Sequence, residues 1–173
     1  MGAARRWPPP VYRIVVDFDA PLDYAFAWCT DYRPDDGRET FERYQRWILS
    51  RTSDRVVLED LWTLPDGWGW RRSDVTIVPP DRWHVDSVGT IRNASIDYRL
   101  TRLAEDRTRL TLRMHRRPSV LRPEQPTRAK FEGPVTEMWQ GFARALARDY
   151  QAGRPPSPRR GDAPRRRVAR RVR

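Results

Sequence analysis

Seven ionisable side chains fall on segments that alternate in the manner of strands: Glu59, Asp60, Arg72, Asp74, Asp86, Asp97 and Arg99. A carboxylate held against apolar walls keeps its proton to higher pH and can act as an acid or a base, so chemistry would begin with these residues. Basic neighbours surround many of them, and alternation sets several on a solvated face, where cross-strand ion pairs are the plainer reading. Asp60 with Arg72 is the pair of most interest. If Pro65-Asp66-Gly67 is a three-residue turn, Asp60 opposes Arg72, Trp62 opposes Trp70 and Leu64 opposes Trp68, which puts the ion pair on a tryptophan face.

The remaining reactive residue types offer less. His84 and His115 are the only histidines, and neither has Cys, Asp or Glu at a metal-ligand spacing, so neither a metal site nor a histidine triad is expected. Cys29 is the single cysteine. It excludes an internal disulfide, and its place on an apolar helical face reads as a small buried hydrophobe. The Gly-Trp-Gly at 67–69 lacks the helix and the lysine of a phosphate loop. No cofactor motif is present.

Aromatic residues carry more signal. Three of the eight tryptophans lie in "LWTLPDGWGWRRSD", residues 61–74. As a cross-strand pair, Trp62 and Trp70 either brace a hairpin, line a cavity, or form a platform on the outer face. The alternate face holds Val57, Leu61, Val75 and Ile77. Because that face is apolar too, the pattern leaves open which side is interior, and a bulge near Gly69 would exchange them.

The elements that must position these residues follow from periodicity. Residues 11–18 predict a strand with Tyr12, Ile14, Val16 and Phe18 on one face and the wetter Val11, Arg13, Val15 and Asp17 on the other. Asp19 is placed to cap a short helix with Pro21 in its first turn and Leu22, Ala25, Phe26 and Cys29 on one face. From residue 44, six strands follow at hairpin spacing, and in the last of them Leu110, Leu112 and Met114 oppose Arg109, Thr111, Arg113 and His115. Residues 127–151 form a long amphipathic helix with Phe131, Val135, Met138, Trp139, Phe142, Leu146 and Tyr150 as its stripe. A kink or fresh start is expected at Gly133-Pro134, and Gly153 serves as terminator.

Charge divides the chain. The net +11 is concentrated in residues 154–173, which carry nine Arg against one Asp, and Arg5 and Arg6 add to it in the first ten residues. The body at 11–153 is almost neutral. A proline-rich arm (1–10), one domain (11–153) and a Pro/Arg tail without the apolar residues to fold are therefore expected. No segment reaches the ~20 apolar residues of a spanning helix, and no signal-peptide core precedes the first strand; a soluble, cytoplasmic protein is the expectation.

Strand, short helix, six strands and long helix, in that order, resemble the helix-grip fold of the SRPBCC superfamily, which includes START domains, polyketide cyclase/dehydrase-like proteins and the birch-pollen allergen family. "VYRIVVDFDAPLDYAFAWCTDY" is similar to the opening strand, Ala-Pro turn and helix of that fold. The hairpin run from Arg46 to Asp86 and "TEMWQGFARALARDYQAG" complete it, so that the resemblance spans about residues 11–152. It implies an α+β architecture in which a curved antiparallel sheet of about seven strands wraps a C-terminal helix. A hydrophobic cavity between the two would bind a lipid, polyketide, quinone or similar molecule. On this reading the ligand wall comprises Trp62, Trp70, Trp83, Tyr98, Leu112, Met114, Met138, Trp139 and Phe142, with Asp60 and Arg72 as polar groups.

Three functions stand at this point. The first is a binding module that performs no chemistry and has a hydrophobic small molecule as its partner. The second is a cyclase/dehydrase-type enzyme using a pocket carboxylate. The third is an adaptor that touches nucleic acid or an anionic membrane surface through the tail. No cofactor or metal is expected, and the sequence leaves the oligomeric state open.

Overall fold

A computed structural model describes residues 11–34, 36, 43–65, 67–119 and 124–156. The proline-rich arm and the basic tail from residue 157, with the partners expected of it, lie outside the described residues. Seven strands and two helices follow in the order β1 (Val11–Phe18), α1 (Leu22–Thr30), β2 (Tyr44–Arg51), β3 (Arg55–Leu64), β4 (Gly67–Val78), β5 (Arg82–Gly89), β6 (Asn93–Ala104), β7 (Arg107–Arg117) and α2 (Arg128–Gln151). The strands make one antiparallel sheet in the order β1-β7-β6-β5-β4-β3-β2, so each hairpin from β2 to β7 pairs sequence neighbours and β1 closes on β7. This is the helix-grip α+β fold.

Alternation decides which side is interior. Tyr12, Ile14, Val16 and Phe18 of β1 are buried, as are Leu110, Leu112 and Met114 of β7 and Ile96 and Leu100 of β6. α2 lies chiefly along β1 and also meets α1; its buried residues Phe131, Ala145 and Leu146 face inward. Tyr12 packs at a tilt against Phe131, 4.2 Å between ring centroids, and donates its hydroxyl to the Pro126 carbonyl, which fixes the start of α2 over the sheet. At the far end, Trp28 Nε1 of α1 donates to Asp149 at 3.0 Å, and Arg33 Nη1 reaches the same carboxylate. α2 is thus tied down at both ends.

Two local expectations change. Asp19 does not cap α1: the N-cap is Pro21, without a side-chain hydrogen bond, and its carbonyl receives the Ala25 N–H. Proline's fixed φ and missing N–H suit that position. Nor does α2 restart at Gly133-Pro134; it runs unbroken from Arg128, with Thr127 capping Lys130 N. Gly153 ends it as expected, at φ +63°.

The β3–β4 turn differs in a way that matters more. Leu64 pairs with Gly67, leaving two residues in the loop where three are expected. Gly67 adopts φ +138° and enters the strand, a conformation other residues rarely take. The register shifts by one, and a one-residue shift moves side chains to opposite faces. Trp62 therefore opposes Gly69, Leu61 opposes Trp70, Asp60 opposes Arg71 and Glu59 opposes Arg72. The Trp62–Trp70 pair and the Asp60–Arg72 pair do not exist. Val56, Leu58, Asp60 and Trp62 point inward, with Arg71, Ser73, Val75 and Ile77 across from them; Val57 and Leu61 point outward, separated from Val75 and Ile77.

Candidate functional site

The inner face of the sheet can be followed from strand to strand by its register. Ile77, Trp83, Tyr98, Leu112 and Ile14 lie in one row, and Val75, Val85, Ile96, Met114 and Tyr12 in the next. Ser73, Ser87, Ala94 and Arg116 follow, and beyond them Asp60, Arg71 and Gly89. The face thus runs from aromatic and aliphatic at one end to polar at the other.

The aromatic end is continuous across three elements. Trp83 stacks on Tyr98 with centroids 4.7 Å apart and planes 6° from parallel. Tyr98 meets Trp139 of α2 at 5.7 Å, and Trp139 meets Phe142 edge-on at 5.4 Å. Phe142 approaches Trp28 of α1 at 6.5 Å, and Phe26 of α1 approaches Trp83 at 6.2 Å. Each contact lies in the range where aromatic pairs attract. The run returns to α1 through two residues of that helix, linking α1, α2 and the sheet.

The interior is buried unevenly. Toward β1, β7 and the end of β6 the core is dry: Phe18, Leu110, Leu112, Leu100 and Leu146 have at most 1% of their surface exposed. Val56, Leu58 and Val75 of β3 and β4 are as dry, and it is between α1, the middle of β6 and α2 that inward side chains keep some accessible surface. Tyr98, Trp139, Phe142, Phe26, Trp28, Cys29 and Tyr32 are partly buried, although Cys29, Tyr32 and Tyr98 lie deep enough for burial to raise their pKa values, Tyr98 to about 12. All of these but Phe142 pack against the buried core cluster while keeping part of their surface accessible.

The polar end is an ion network. Asp60, with no exposure, accepts the Tyr44 hydroxyl at 2.6 Å and Arg46 Nε at 2.7 Å, and Arg71 Nη2 closes on its other oxygen. Burial pushes the Asp60 carboxyl up, but Arg71 and Arg46 outweigh it and hold the group at about 2. Asp60 is therefore held as a carboxylate at neutral pH by its two arginines. Arg46 also reaches Asp36 at 2.7 Å. Arg71 lies over the Trp62 ring at 5.8 Å, and its Nε is sealed from solvent without a partner. Nearby, burial and Asp36 push Asp31 up to about 7 against the pull of Arg33.

Of the expected ligand wall, the fold gathers Trp83, Tyr98, Trp139 and Phe142 into one aromatic run. Leu112 and Met114 face inward as part of the dry core, and Met138 is partly buried on α2. Trp62 is inward but sits at the polar end, its ring on Gly69, where an added Cβ would fall 2.3 Å from it. Trp70 is a correction: the register turns it to the convex face, with its N–H on Thr90 Oγ1. Arg72 is another, facing outward within 3.8 Å of Glu59. Arg46, Arg71, Tyr32, Phe26 and Trp28 were not foreseen. The signal for Arg71 was present in "WGWRR", where a shift of one residue exchanges Arg72 for Arg71.

The convex face carries the surface chemistry. His84 lies between Asp97 at 2.8 Å and Asp86 at 3.2 Å, and the two carboxylates raise its pKa against the effect of burial. Asp17 holds Arg109 and Arg107. An open groove of about 490 Å³ runs between the free edge of β1 and α2, beside Val15, Asp17, Gln140 and Arg144, away from the aromatic run. Among the described residues no cluster of three or more His, Cys, Asp or Glu is placed to hold a metal, and no helix is long and apolar enough to cross a membrane.

No protein-family model matches the chain, and no curated protein matches it by sequence. Solved structures do match by fold. The Zhui aromatase/cyclase from a Streptomyces species superposes with a TM-score of 0.61 at 15% identity, covering 83% of this chain and 97% of that one. A START superfamily protein from Mycobacterium smegmatis gives 0.59 at 13% identity, with 82% and 97% covered. The di-domain ARO/CYC StfQ from the steffimycin biosynthetic pathway gives 0.63 at 11% identity, with 80% and 46% covered. The chain has a START-like helix-grip fold.

Proposed function

We propose that this START-like chain binds a hydrophobic, ring-bearing small molecule in the space bordered by α1, α2 and strands β3–β6. One observation carries the reading: the aromatic run Phe26–Trp83–Tyr98–Trp139–Phe142–Trp28 faces inward, and all of it but Trp83 keeps accessible surface, whereas Phe18, Leu110, Leu112, Leu100 and Leu146 keep almost none. Flat aromatic walls offer a ligand large apolar area and offset or edge-on ring contacts. Extraction of the purified protein with organic solvent, followed by mass spectrometry, tests this directly. A co-purified apolar compound is expected, together with a thermal upshift on adding polycyclic aromatics. A preparation with no extractable ligand and no shift from aromatics or lipids would count against it.

A second reading is favoured by Arg71 and by the aromatase/cyclase neighbours. A cyclase-type reaction needs a charged or proton-donating group at the substrate, and Arg71, with a donor left unpaired beside the deep Tyr98 and Tyr32, offers one where a carboxylate was expected. Turnover of a linear polyketide mimic by the wild type, lost in Arg71→Met with ligand binding retained, would select this reading over simple binding.

A further inference from the structure

The polar end of the inner face holds more positive charge than the described residues neutralise. Arg71 is tied to this corner by the β5–β6 turn, since Thr90 bonds Trp70 through both N–H and carbonyl. Two residues on, Arg92 projects from the same turn over the Phe131 ring of α2, 5.9 Å from its centroid. Arg116 reaches the corner from β7, donating Nη2 to the Ile91 carbonyl and Nη1 to that of Glu124.

The three arginines are unequally satisfied. Arg71 has Asp60, which it shares with Arg46. Arg116 has two carbonyls and no carboxylate, and its Nε is sealed without a partner, as is that of Arg71. Among the described residues Arg92 has neither a hydrogen bond nor an ion pair, and its nitrogens are not sealed from solvent. It lies deep: burial first, then Arg71 and Arg116, lower its pKa to about 10. A guanidinium presents its donors as a planar fork suited to a carboxylate or sulfonate. A deep, unpartnered fork over an aromatic ring, beside two further arginines, is placed for a ligand's charge.

We infer that the ligand of this space is an amphiphilic anion, its rings against the aromatic run and its single acidic group seated by Arg92 with Arg71 beside it. This rests on the binding reading above and adds the class of ligand. The acid would give Arg92 a partner that the fold leaves out, and would orient the molecule with its apolar body toward Trp83 and Tyr98.

Two fluorescent probes with one ring skeleton separate the steps: anilinonaphthalene sulfonate, which carries an acid, and phenylnaphthylamine, which does not. The wild type is expected to bind the sulfonate about tenfold or more tighter than the neutral probe, the scale of a charge-assisted hydrogen bond. Arg92→Met should erase that preference without weakening the neutral probe, Arg92→Lys should keep part of it, and Arg113→Met, which removes the same charge from the convex face, should leave it intact. Since Arg92→Met removes a buried charge without a partner, its melting temperature should equal or exceed that of the wild type. If that variant fails to fold, Arg92→Lys carries the comparison. Equal binding of both probes in the wild type, or a preference untouched at Arg92, overturns the inference while leaving the cavity in place. Failure of even the neutral probe to bind overturns both.

Discussion

Asp60 shows how a fully buried residue can keep its charge. Alone in this interior a carboxylate would be protonated, and it is the pincer of Arg46 and Arg71, with the Tyr44 hydroxyl, that holds it ionised. Asp60→Asn should cost about 3 kcal/mol, because Arg71 loses its carboxylate and the buried Arg46 is left with Asp36 alone. Chemical denaturation at neutral pH measures it. The same pair fixes a pH dependence. The unfolded carboxyl titrates near 3.8 and the folded one at about 2, so between them the unfolded state holds more protons. Stability from this group is complete above the unfolded value and is lost as pH falls toward 2, about 2 kcal/mol over that interval. Asp60→Asn should remove this part of the acid limb, and a denaturation series from pH 5 to about 2 reads the difference. Gly69 is the neighbouring test of packing. Gly69→Ala would drive a methyl into the Trp62 ring and should cost about 1–3 kcal/mol, with a shift in tryptophan emission, since the ring is held between Gly69 and Arg71.

At the scale of elements, α2 carries a proline where its backbone would otherwise bond. Pro134 stands inside an uninterrupted helix and removes one hydrogen-bond donor to the turn before it. Pro134→Ala should raise stability by about 1–3 kcal/mol, read as a higher melting temperature, provided that side chain makes no contact the helix needs. Pro134 is exposed, which favours the gain. The elements themselves were legible from sequence because each has one period and one apolar face: β1, β7 and α2 announce their buried residues by alternation or by three- and four-residue spacing. The β3–β4 hairpin was not. Both of its faces are apolar in places, so only the turn could set the register, and the turn depended on whether Gly67 belonged to the loop or to the strand. That single residue moved Trp70 and Arg72 outward and Arg71 inward, so the inward facing of Trp83, Tyr98, Trp139 and Phe142 in the candidate site was legible in the sequence and that of Arg71 was not. Arg92 gave no signal at all, because its role arises from neighbours on β4, β7 and α2 that sequence distance conceals.

The whole molecule divides its interior between two tasks. Where α2 lies along β1, the core is closed by Tyr12, Phe18, Leu110, Leu112 and Leu146, and that half supplies stability. On the proposed reading the aromatic run, which keeps accessible surface on α1, β6 and α2, is the wall that a ligand covers. Trp139 stands on the boundary, touching Phe18 on the dry side at 6.4 Å and Tyr98 on the other. The division predicts that truncations in the two halves separate in their effects. Leu112→Ala should lose about 2–5 kcal/mol of stability while the folded fraction keeps its affinity for a neutral aromatic probe. Phe142→Ala and Tyr98→Ala should weaken that probe severalfold, on the order of the 0.5–1.5 kcal/mol of a lost ring contact, at a smaller cost in stability per atom removed. Melting curves and probe titrations on the same variants give both quantities. If Leu112→Ala weakens binding as much as Tyr98→Ala does, the interior is one continuous packed body, and the aromatic run is core rather than a wall for a ligand.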